Sequence, residues 1–295
     1  MRRRLLGSVA VGGVAGVAAW SLVADGKAVW TVVAGAVAAV AGAFAPSVAE
    51  RVRDRWEARE RSRSLVTGTL VAELPASVAW LLHPAKEVIG FFGRGWVLQE
   101  LQSWCADPDM AVVRLVAAPG GYGKTRLARE LCARLPGWAS WWVKDGGEAD
   151  AIAAITTGTA PGRVLMVVDY ADARDPAAVA GLLVAAAGRA GARVLLLARG
   201  AGPWWTSLSA SHPAQATLVD ALTVPGNVIA LPARVDDRPP DQIVAAAVAE
   251  FAAHLRYAVP PGFRSRQHDP DTPVLRLHAE ALLAVLGGSR SGDDR

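Results

Sequence analysis

The stretch that decides the fold is APGGYGKT, residues 118–125, which joins the apolar run 111–118 to the helical pattern 125–135. Its three glycines have no Cβ, so successive backbone N–H groups can turn inward around the oxygens of an anion. A helix that begins near Gly123 would add the positive end of its dipole at the same place. The stretch therefore predicts a phosphate-binding turn between a buried strand and a helix.

The residue types in this turn specify the anion further. Lys124 would reach the β- and γ-phosphates of a nucleoside triphosphate, and the Thr125 hydroxyl would ligate Mg²⁺. Ala118 stands where the P-loop pattern usually has its first glycine, a position that only has to turn the chain out of the strand. A dinucleotide-binding fingerprint is disfavoured, because Arg126 stands where it needs a third glycine. We predict that ATP and Mg²⁺ bind here and that the contacting residues are Ala118, Pro119, Gly120, Gly121, Tyr122, Gly123, Lys124, Thr125 and Arg126.

A second anchor follows the apolar run 164–169. Asp169 ends that run, and its carboxylate would hold the Mg²⁺ together with Thr125. Asp172 follows closely and leaves two alternatives open: it could polarise the attacking water, or it could cap a helix that begins near Pro176. Tyr170 stands directly after Asp169, where many vigorous ATPases have a second acid, so any hydrolysis is expected to be slow.

Arg199 directly follows a further apolar run, residues 193–198. A guanidinium at the carboxyl end of a strand could sense the γ-phosphate and stabilise the charge that develops there. The alternative is an arginine that merely extends into solvent after the strand. Asp172 and Arg199 are therefore the two candidates for catalytic roles.

Short apolar runs alternate with longer helical patterns from residue 65 onward. Continuously apolar strands separated by helices are typical of a parallel sheet that is covered on both faces. The pattern predicts one α/β domain with a five-stranded parallel sheet, whose ligand lies beyond the carboxyl ends of the strands. The predicted strands are 111–118, 139–144, 164–169, 193–198 and 227–231, and the predicted helices between them are 124–135, 147–156, 176–190 and 208–221.

The composition excludes several classes of protein. The 295 residues are 52% hydrophobic, which excludes intrinsic disorder. Two cysteines are too few for a disulfide framework and show no metal-ligand spacing. The net charge of +4 is modest, and no basic wing or helix stands out, so a nucleic-acid partner is disfavoured.

The first 49 residues differ from the rest of the chain. Residues 5–24 and 28–49 contain no charged side chain, and each run is long enough to cross a bilayer as a helix. Arginines precede the first run and follow the second, so the positive-inside rule places both ends in the cytoplasm. A transmembrane hairpin over residues 1–49, with lipid contacts over 5–49, is therefore predicted, followed by a charged linker helix over 50–64. A cleaved signal peptide and a buried soluble hairpin are the alternatives, and the first conflicts with a site that needs cytosolic ATP.

Four motifs in a fixed order resemble the STAND class of signal-transducing P-loop NTPases, which are AAA/NACHT-like, and in particular its actinobacterial ATP-binding members. The motifs are FFGRGWVLQELQSWC (91–105), APGGYGKTRLARELC (118–132), VLMVVDYAD (164–172) and RVLLLARGAGPWW (193–205). The resemblance implies that Gly93 and Arg94 line the adenine–ribose side and that Arg199 is the sensor arginine. It also implies a helical lid after the sheet, whose Pro273 approaches the nucleotide.

The sequence thus predicts five segments: a transmembrane hairpin (1–49), a linker helix (50–64), a P-loop nucleotide-binding domain (65–232), a helical lid (233–288) and a polar tail (289–295). The predicted function is a membrane-tethered, cytoplasmic, ATP-binding STAND-like switch, for which slow hydrolysis remains open. Such proteins usually continue into a long repeat region, so an unknown protein partner is expected to supply the sensor or effector, and a homo-oligomer is compatible with the pattern. The alternative is a membrane scaffold with a structural ATP site that does not hydrolyse.

Overall fold

A five-stranded parallel sheet organises the structure, a computed structural model that describes residues 78–235 and 238–290. Its strand order is β2-β3-β4-β1-β5, and every neighbouring pair is parallel. The five-stranded parallel sheet predicted from the sequence is thereby confirmed. The strands are β1 (Val113–Ala117), β2 (Ala139–Trp142), β3 (Val164–Val168), β4 (Ala192–Ala198) and β5 (Val228–Ala230).

The three central strands explain why the apolar runs are continuous. Every residue of β1, β3 and β4 is buried. In β4, Val194 and Leu196 join one hydrophobic cluster, whereas Leu195 and Leu197 join a second cluster on the opposite face. Because successive side chains of a strand point to opposite faces, both faces are covered and mostly apolar. The exceptions are Arg114 in β1 and Arg193 in β4, which are buried but hydrogen-bonded.

Helices cover both faces of this sheet. The first two, α1 (Gly95–Ala106) and α2 (Lys124–Ala133), pack on the cluster that contains Leu195. The next two, α3 (Glu148–Thr156) and α4 (Pro176–Ala187), pack on the cluster that contains Val194. The sheet is therefore the middle layer of three.

The helix predicted over residues 208–221 is shorter than expected and is broken. Two 3₁₀ turns, Leu208–Ser211 and Pro213–Gln215, follow the short α5 (Pro203–Thr206) and precede α6 (Ala216–Leu222). Pro213 is the physical reason, because a proline disfavours helical backbone in the residue before it. His212 accordingly has φ −138° and ψ 66°.

Two long helices form a separate layer after the sheet. They are α7 (Pro240–Leu255) and α8 (Val274–Arg290), and they share a third hydrophobic cluster that includes Phe251 and Leu277. Apart from the last two residues of α8, both helices lie within residues 233–288, which the sequence analysis predicts as a helical lid, and we keep the name lid for this segment.

Several predicted segments lie outside the described residues: the hairpin (1–49), the linker helix (50–64) and all of the polar tail except the end of α8. Within residues 78–235 and 238–290, none of the helices combines the length and the apolar character that a bilayer crossing requires.

Candidate functional site

Three neighbouring strands bring the predicted site residues to one edge of the sheet. β4 lies between β3 and β1, and all three run in the same direction, so their carboxyl ends are adjacent. Asp169 follows β3, Arg199 follows β4, and the loop 118–123 follows β1. Ligands of open parallel sheets bind at this edge.

The loop after β1 leads directly into the amino terminus of α2, which begins at Lys124. Gly121 and Gly123 have φ values of 81° and 87°, a left-handed backbone that only glycine adopts without strain. No side chain caps the first turn of α2. The free N–H groups and the positive end of the helix dipole therefore form an anion site.

Lys124 folds back over this loop. Its Nζ donates hydrogen bonds to the carbonyl oxygens of Ala118 at 2.6 Å and Pro119 at 3.1 Å. Burial lowers the pKa of Lys124, the carboxylates of Asp169 and Asp172 act against this shift, and Arg199 adds to it. The ammonium is thus held at the cavity wall by groups that a phosphate could replace.

Thr125 and Asp169 meet across the site. The Thr125 hydroxyl donates to Asp169 Oδ2 at 2.8 Å, and the Tyr170 N–H donates to Asp169 Oδ1 at 2.9 Å. A glycine-rich loop, its lysine and threonine, and an aspartate two strands away in the sheet are therefore assembled as a P-loop requires. The described domain has a P-loop NTPase-like fold.

The donor set of this P-loop fits Mg²⁺. Thr125 and Asp169 offer a hydroxyl and a carboxylate, and hard divalent cations prefer such oxygen ligands. Among the described residues, no group of three or more His, Cys, Asp and Glu side chains could hold a metal by itself. Mg²⁺ is usually bound through one or two carboxylates together with water and substrate phosphates, so Thr125 and Asp169 are suitable protein ligands for it.

Asp172 and Arg199 lie next to each other at the same edge. Asp172 is part of a 3₁₀ turn, Ala171–Ala173, and its Oδ2 accepts a hydrogen bond from the Arg199 N–H at 3.2 Å. The amino terminus of α4 is capped instead by Asp175, whose carboxylate accepts from two backbone N–H groups of the first turn at 3.3 and 3.2 Å. The alternative in which Asp172 caps this helix is therefore wrong.

The Arg199 side chain is exposed and lines the cavity. Within the described part of the chain, its guanidinium takes part in no hydrogen bond and no ion pair. A cation left unpaired at the rim of an anion site can respond to an added phosphate charge.

These groups form one wall of a cavity of about 720 Å³, within the ordinary range for small-molecule sites. Apolar side chains of the segment before α1 and residues of the lid also line it. A cavity lined both by anion-binding groups and by apolar side chains suits a nucleotide. The apolar lining residues of that segment are Leu81, Leu82, Val88, Ile89, Phe91 and Phe92.

The lid contacts the P-loop directly. The Leu275 N–H donates to the carbonyl oxygen of Gly121 at 3.1 Å. Pro273 lines the cavity, and its approach to the nucleotide, which the family resemblance implies, stays a prediction. A Cβ on Gly121 would lie 3.2 Å from Leu275 Cβ and 3.4 Å from Pro273 Cβ. The close approach of the first turn of α8 and the positive φ of Gly121 therefore both favour a glycine at this position.

Of the predicted contact residues, three do not line the cavity, and a fourth lines it with a side chain that is held by hydrogen bonds to the backbone. Gly93 does not line the cavity; it forms the left-handed turn before α1, with φ 64°. Ala118 and Pro119 do not line the cavity either, and their carbonyl oxygens accept hydrogen bonds from Lys124. Arg94 does line it, but its side chain is buried and donates to the carbonyl oxygens of Tyr122, Ala233 and Arg234 at 3.4, 3.2 and 3.0 Å.

The predicted contacts Gly120, Tyr122 and Arg126 do line the cavity. Arg126 lies over the Phe91 ring at 5.7 Å and forms ion pairs with Glu87 and Glu130, each at 3.3 Å. The pair with Glu130 is visible in the sequence as an i,i+4 spacing. The pair with Glu87 is not, because only the fold brings that residue to α2.

Arg174 also contacts this site, although no sequence pattern predicted it. Its guanidinium donates to the backbone carbonyl of Asp169 and also reaches the end of β2 and the start of α3. The surrounding stretch, ADARDP, reads as a solvated turn, and no local pattern indicates a buried arginine.

Comparisons with known proteins do not assign the chain to a family. No family model matches it, and no curated protein matches it. A solved structure described as "Structural Basis for Katanin Self-Assembly" is similar with a TM-score of 0.39 and 13% sequence identity, over 72% of this chain and 77% of that chain. A likeness this distant transfers no residue role and no activity.

Proposed function

We propose that this chain is a membrane-tethered STAND-like NTPase that binds ATP·Mg²⁺ and uses the nucleotide as a conformational switch. The observation that carries the nucleotide-binding part is the hydrogen bond from Thr125 to Asp169, formed beside an uncapped helix amino terminus in a cavity of about 720 Å³. The STAND assignment is supported by the order of the four sequence motifs.

The anion-binding and the apolar lining groups of the cavity have different roles in this proposal. The backbone N–H groups of the P-loop and Lys124 hold the phosphates, while Thr125 and Asp169 hold the Mg²⁺, which would neutralise phosphate charge. The apolar lining residues of the segment before α1, which include Phe91, accommodate the base and ribose together with Arg126. Gly93 and Arg94 contribute indirectly, by shaping the turn and fixing the wall of the cavity.

Two groups at the open edge are proposed to respond to the γ-phosphate. Arg199 places a guanidinium there that other described residues do not neutralise, and Asp172 offers a carboxylate to polarise the attacking water. The Arg199 N–H and Asp172 are joined by a hydrogen bond. This bond comes from the backbone N–H of Arg199, so it holds the Asp172 carboxylate at the end of β4 and does not involve the guanidinium.

The lid is proposed as the moving part of the switch. Its first turn is bonded to the P-loop through the Leu275 N–H and the Gly121 carbonyl oxygen. A ligand shifts a conformational equilibrium only if it binds the two states with different affinity. ATP and ADP must therefore favour different positions of α8 relative to the loop.

The membrane tether rests on the sequence pattern. We propose that residues 5–49 contact lipid as a helical hairpin, that residues 50–64 form a linker helix, and that the P-loop domain over 65–232 and the lid over 233–288 face the cytoplasm. A separate protein partner, or a second copy of this chain, would then supply the sensor or effector function.

A scaffold with a structural ATP site is the second candidate, and one residue favours it. Tyr170 occupies the position after Asp169, and its side chain is 58% exposed. A tyrosine cannot act as the general base that a carboxylate at that position could provide. Tight ATP binding without turnover would be the result.

Substitution of Lys124 tests the nucleotide site. We expect Lys124→Ala to abolish ATP binding, because the loop loses the cation that faces the β- and γ-phosphates, while the fold is retained. Isothermal titration of ATP with MgCl₂ measures this, and circular dichroism checks the fold. Lys144→Ala is the matched control, since Lys144 is an exposed lysine after β2. A folded Lys124→Ala variant with unchanged ATP affinity would refute the site.

A further inference from the structure

The Arg174 side chain is hydrogen-bonded to the backbone of Asp169. Its Nε and Nη2 both donate to the Asp169 carbonyl oxygen at 3.1 Å. The side chain is only 9% exposed, so these bonds are shielded from water. Such bonds from a charged donor are stronger than those between neutral groups.

The same guanidinium is anchored on its other side by two more elements. Nη2 donates to the Val143 carbonyl oxygen at 3.0 Å, directly after β2. Nη1 pairs with Glu148 Oε1 at 3.0 Å, at the start of α3, and with Asp145 Oδ1 at 3.3 Å. Glu148 is itself 3% exposed. Arg174 therefore links Asp169 to the end of β2 through a hydrogen bond and to the start of α3 through a buried ion pair.

The orientation of the Asp169 carboxylate depends on the peptide that Arg174 holds. The next residue, Tyr170, has φ 55°, and its N–H donates back to Asp169 Oδ1. One carboxylate oxygen is thus occupied by the Asp169–Tyr170 peptide, and Oδ2 remains for Thr125. If that peptide rotated, the oxygen facing Thr125 would turn away.

We infer that Arg174 is a positioning residue for the magnesium site, acting through the Asp169 backbone and not by touching the metal or the nucleotide. The inference rests on the proposed ATP·Mg²⁺ site. Residues that orient a metal ligand typically change metal affinity by about 10- to 100-fold when they are replaced. The expected signature is a weakened affinity for Mg²⁺ at an intact phosphate site.

The test is the Mg²⁺ dependence of ATP binding by the full-length chain. We expect Arg174→Ala to raise the Mg²⁺ concentration for half-maximal ATP binding by about tenfold or more, while ATP affinity measured in EDTA stays the same. Arg174→Lys keeps the charge but loses the forked donor geometry, so we expect a smaller shift in the same direction.

Arg189 offers a matched control. Its Nη2 also donates to two backbone carbonyl oxygens, those of Ala160 at 2.8 Å and Pro161 at 2.6 Å, but these residues are not in the cavity lining. Arg189→Ala should lower thermal stability without changing the Mg²⁺ dependence. A purely structural role for Arg174 would produce that same pattern.

The outcomes separate the two proposals. A folded Arg174→Ala or Arg174→Lys variant with the Mg²⁺ dependence of the wild type overturns the positioning role, and the lysine variant decides the matter if the alanine variant does not fold. Equal weakening with Mg²⁺ and with EDTA also overturns it, because the phosphate site has then been damaged. A wild-type chain that binds no ATP at any Mg²⁺ concentration refutes the proposed function itself.

Discussion

At the scale of single residues, the structure excludes one of the two roles that the sequence leaves open for Asp172. It does not cap α4, because Asp175 does so. It accepts a hydrogen bond from the Arg199 N–H and lines the cavity. A half-buried carboxylate at the open edge of a phosphate site is suited to orient water.

Asp172→Asn separates the switch from the structural ATP site. The amide keeps an oxygen that can accept from the Arg199 N–H but loses the charge and basicity. We expect single-turnover ATP hydrolysis to fall by about 100-fold, a typical contribution of a general base, with ATP affinity unchanged. Rapid-quench assays with labelled ATP measure the rate. Equal rates in the variant and the wild type would exclude a catalytic role for Asp172.

At the scale of elements, the contact between the P-loop and α8 can be tested directly by substitution. Two glycines of the loop differ sharply in their surroundings. Gly121 has φ 81° and faces Leu275 and Pro273, whereas a Cβ on Gly120 would meet nothing within 4 Å. The chain therefore contains its own control for this contact.

Gly121→Ala should destabilise the protein where Gly120→Ala does not. The added methyl group combines a left-handed backbone with contacts at 3.2 and 3.4 Å, so we expect a loss of about 1–3 kcal/mol in the free energy of unfolding. Gly120→Ala should change it by less than about 0.5 kcal/mol. Urea denaturation in the absence of nucleotide measures both. Equal stabilities would show that the lid does not rest on the loop in solution.

His278 on α8 predicts a pH dependence of stability. Burial lowers its pKa from 6.5 to about 4. Because the unfolded chain binds this proton more readily, the contribution of His278 to stability is complete above pH 6.5 and declines as pH falls towards 4. Between pH 7 and pH 5 the expected loss is about 2 kcal/mol.

Urea denaturation at several pH values measures this effect. His278→Gln should flatten the pH profile over that interval, whereas His254→Gln, which replaces an exposed histidine on α7, should leave it as in the wild type. An unaltered profile in His278→Gln would assign the pH dependence to other groups.

At the scale of the whole molecule, strand order assembles the site. Because β4 lies between β1 and β3, Arg199 emerges between the P-loop and Asp169. Three groups from distant parts of the sequence become neighbours through backbone pairing alone. Side-chain contacts such as that of Thr125 with Asp169 then set the final distances.

Removal of residues 1–49 tests the proposed tether. The full-length chain should sediment with membranes and require detergent for extraction, whereas the chain lacking residues 1–49 should remain in the supernatant, because both long uncharged runs are gone. Fractionation by ultracentrifugation followed by immunoblotting measures the distribution. A carbonate wash distinguishes an inserted hairpin from peripheral binding. Recovery of the full-length chain in the supernatant would contradict the tether.

Much of the fold could be predicted because its signals are local. The runs that form β1, β3 and β4 are almost wholly apolar because strands covered on both faces have no side that faces water. The glycines, Lys124 and Thr125 were recognisable because a phosphate requires free N–H groups and a cation at fixed spacing. The helix predicted over 208–221 is wrong in its extent, because Pro213 disfavours helical backbone at His212.

The sequence by itself determined the sheet, the phosphate loop and the aspartate that follows β3, because each depends on neighbours in the chain. Only the tertiary structure decided that Arg174 is buried beneath Asp169, that Arg94 is pinned behind the loop and that Gly121 must accommodate Leu275. These contacts join segments that are far apart in the chain. Charged side chains such as these two arginines become buried only where folding brings backbone carbonyl oxygens or carboxylates to them, and no local pattern records those partners.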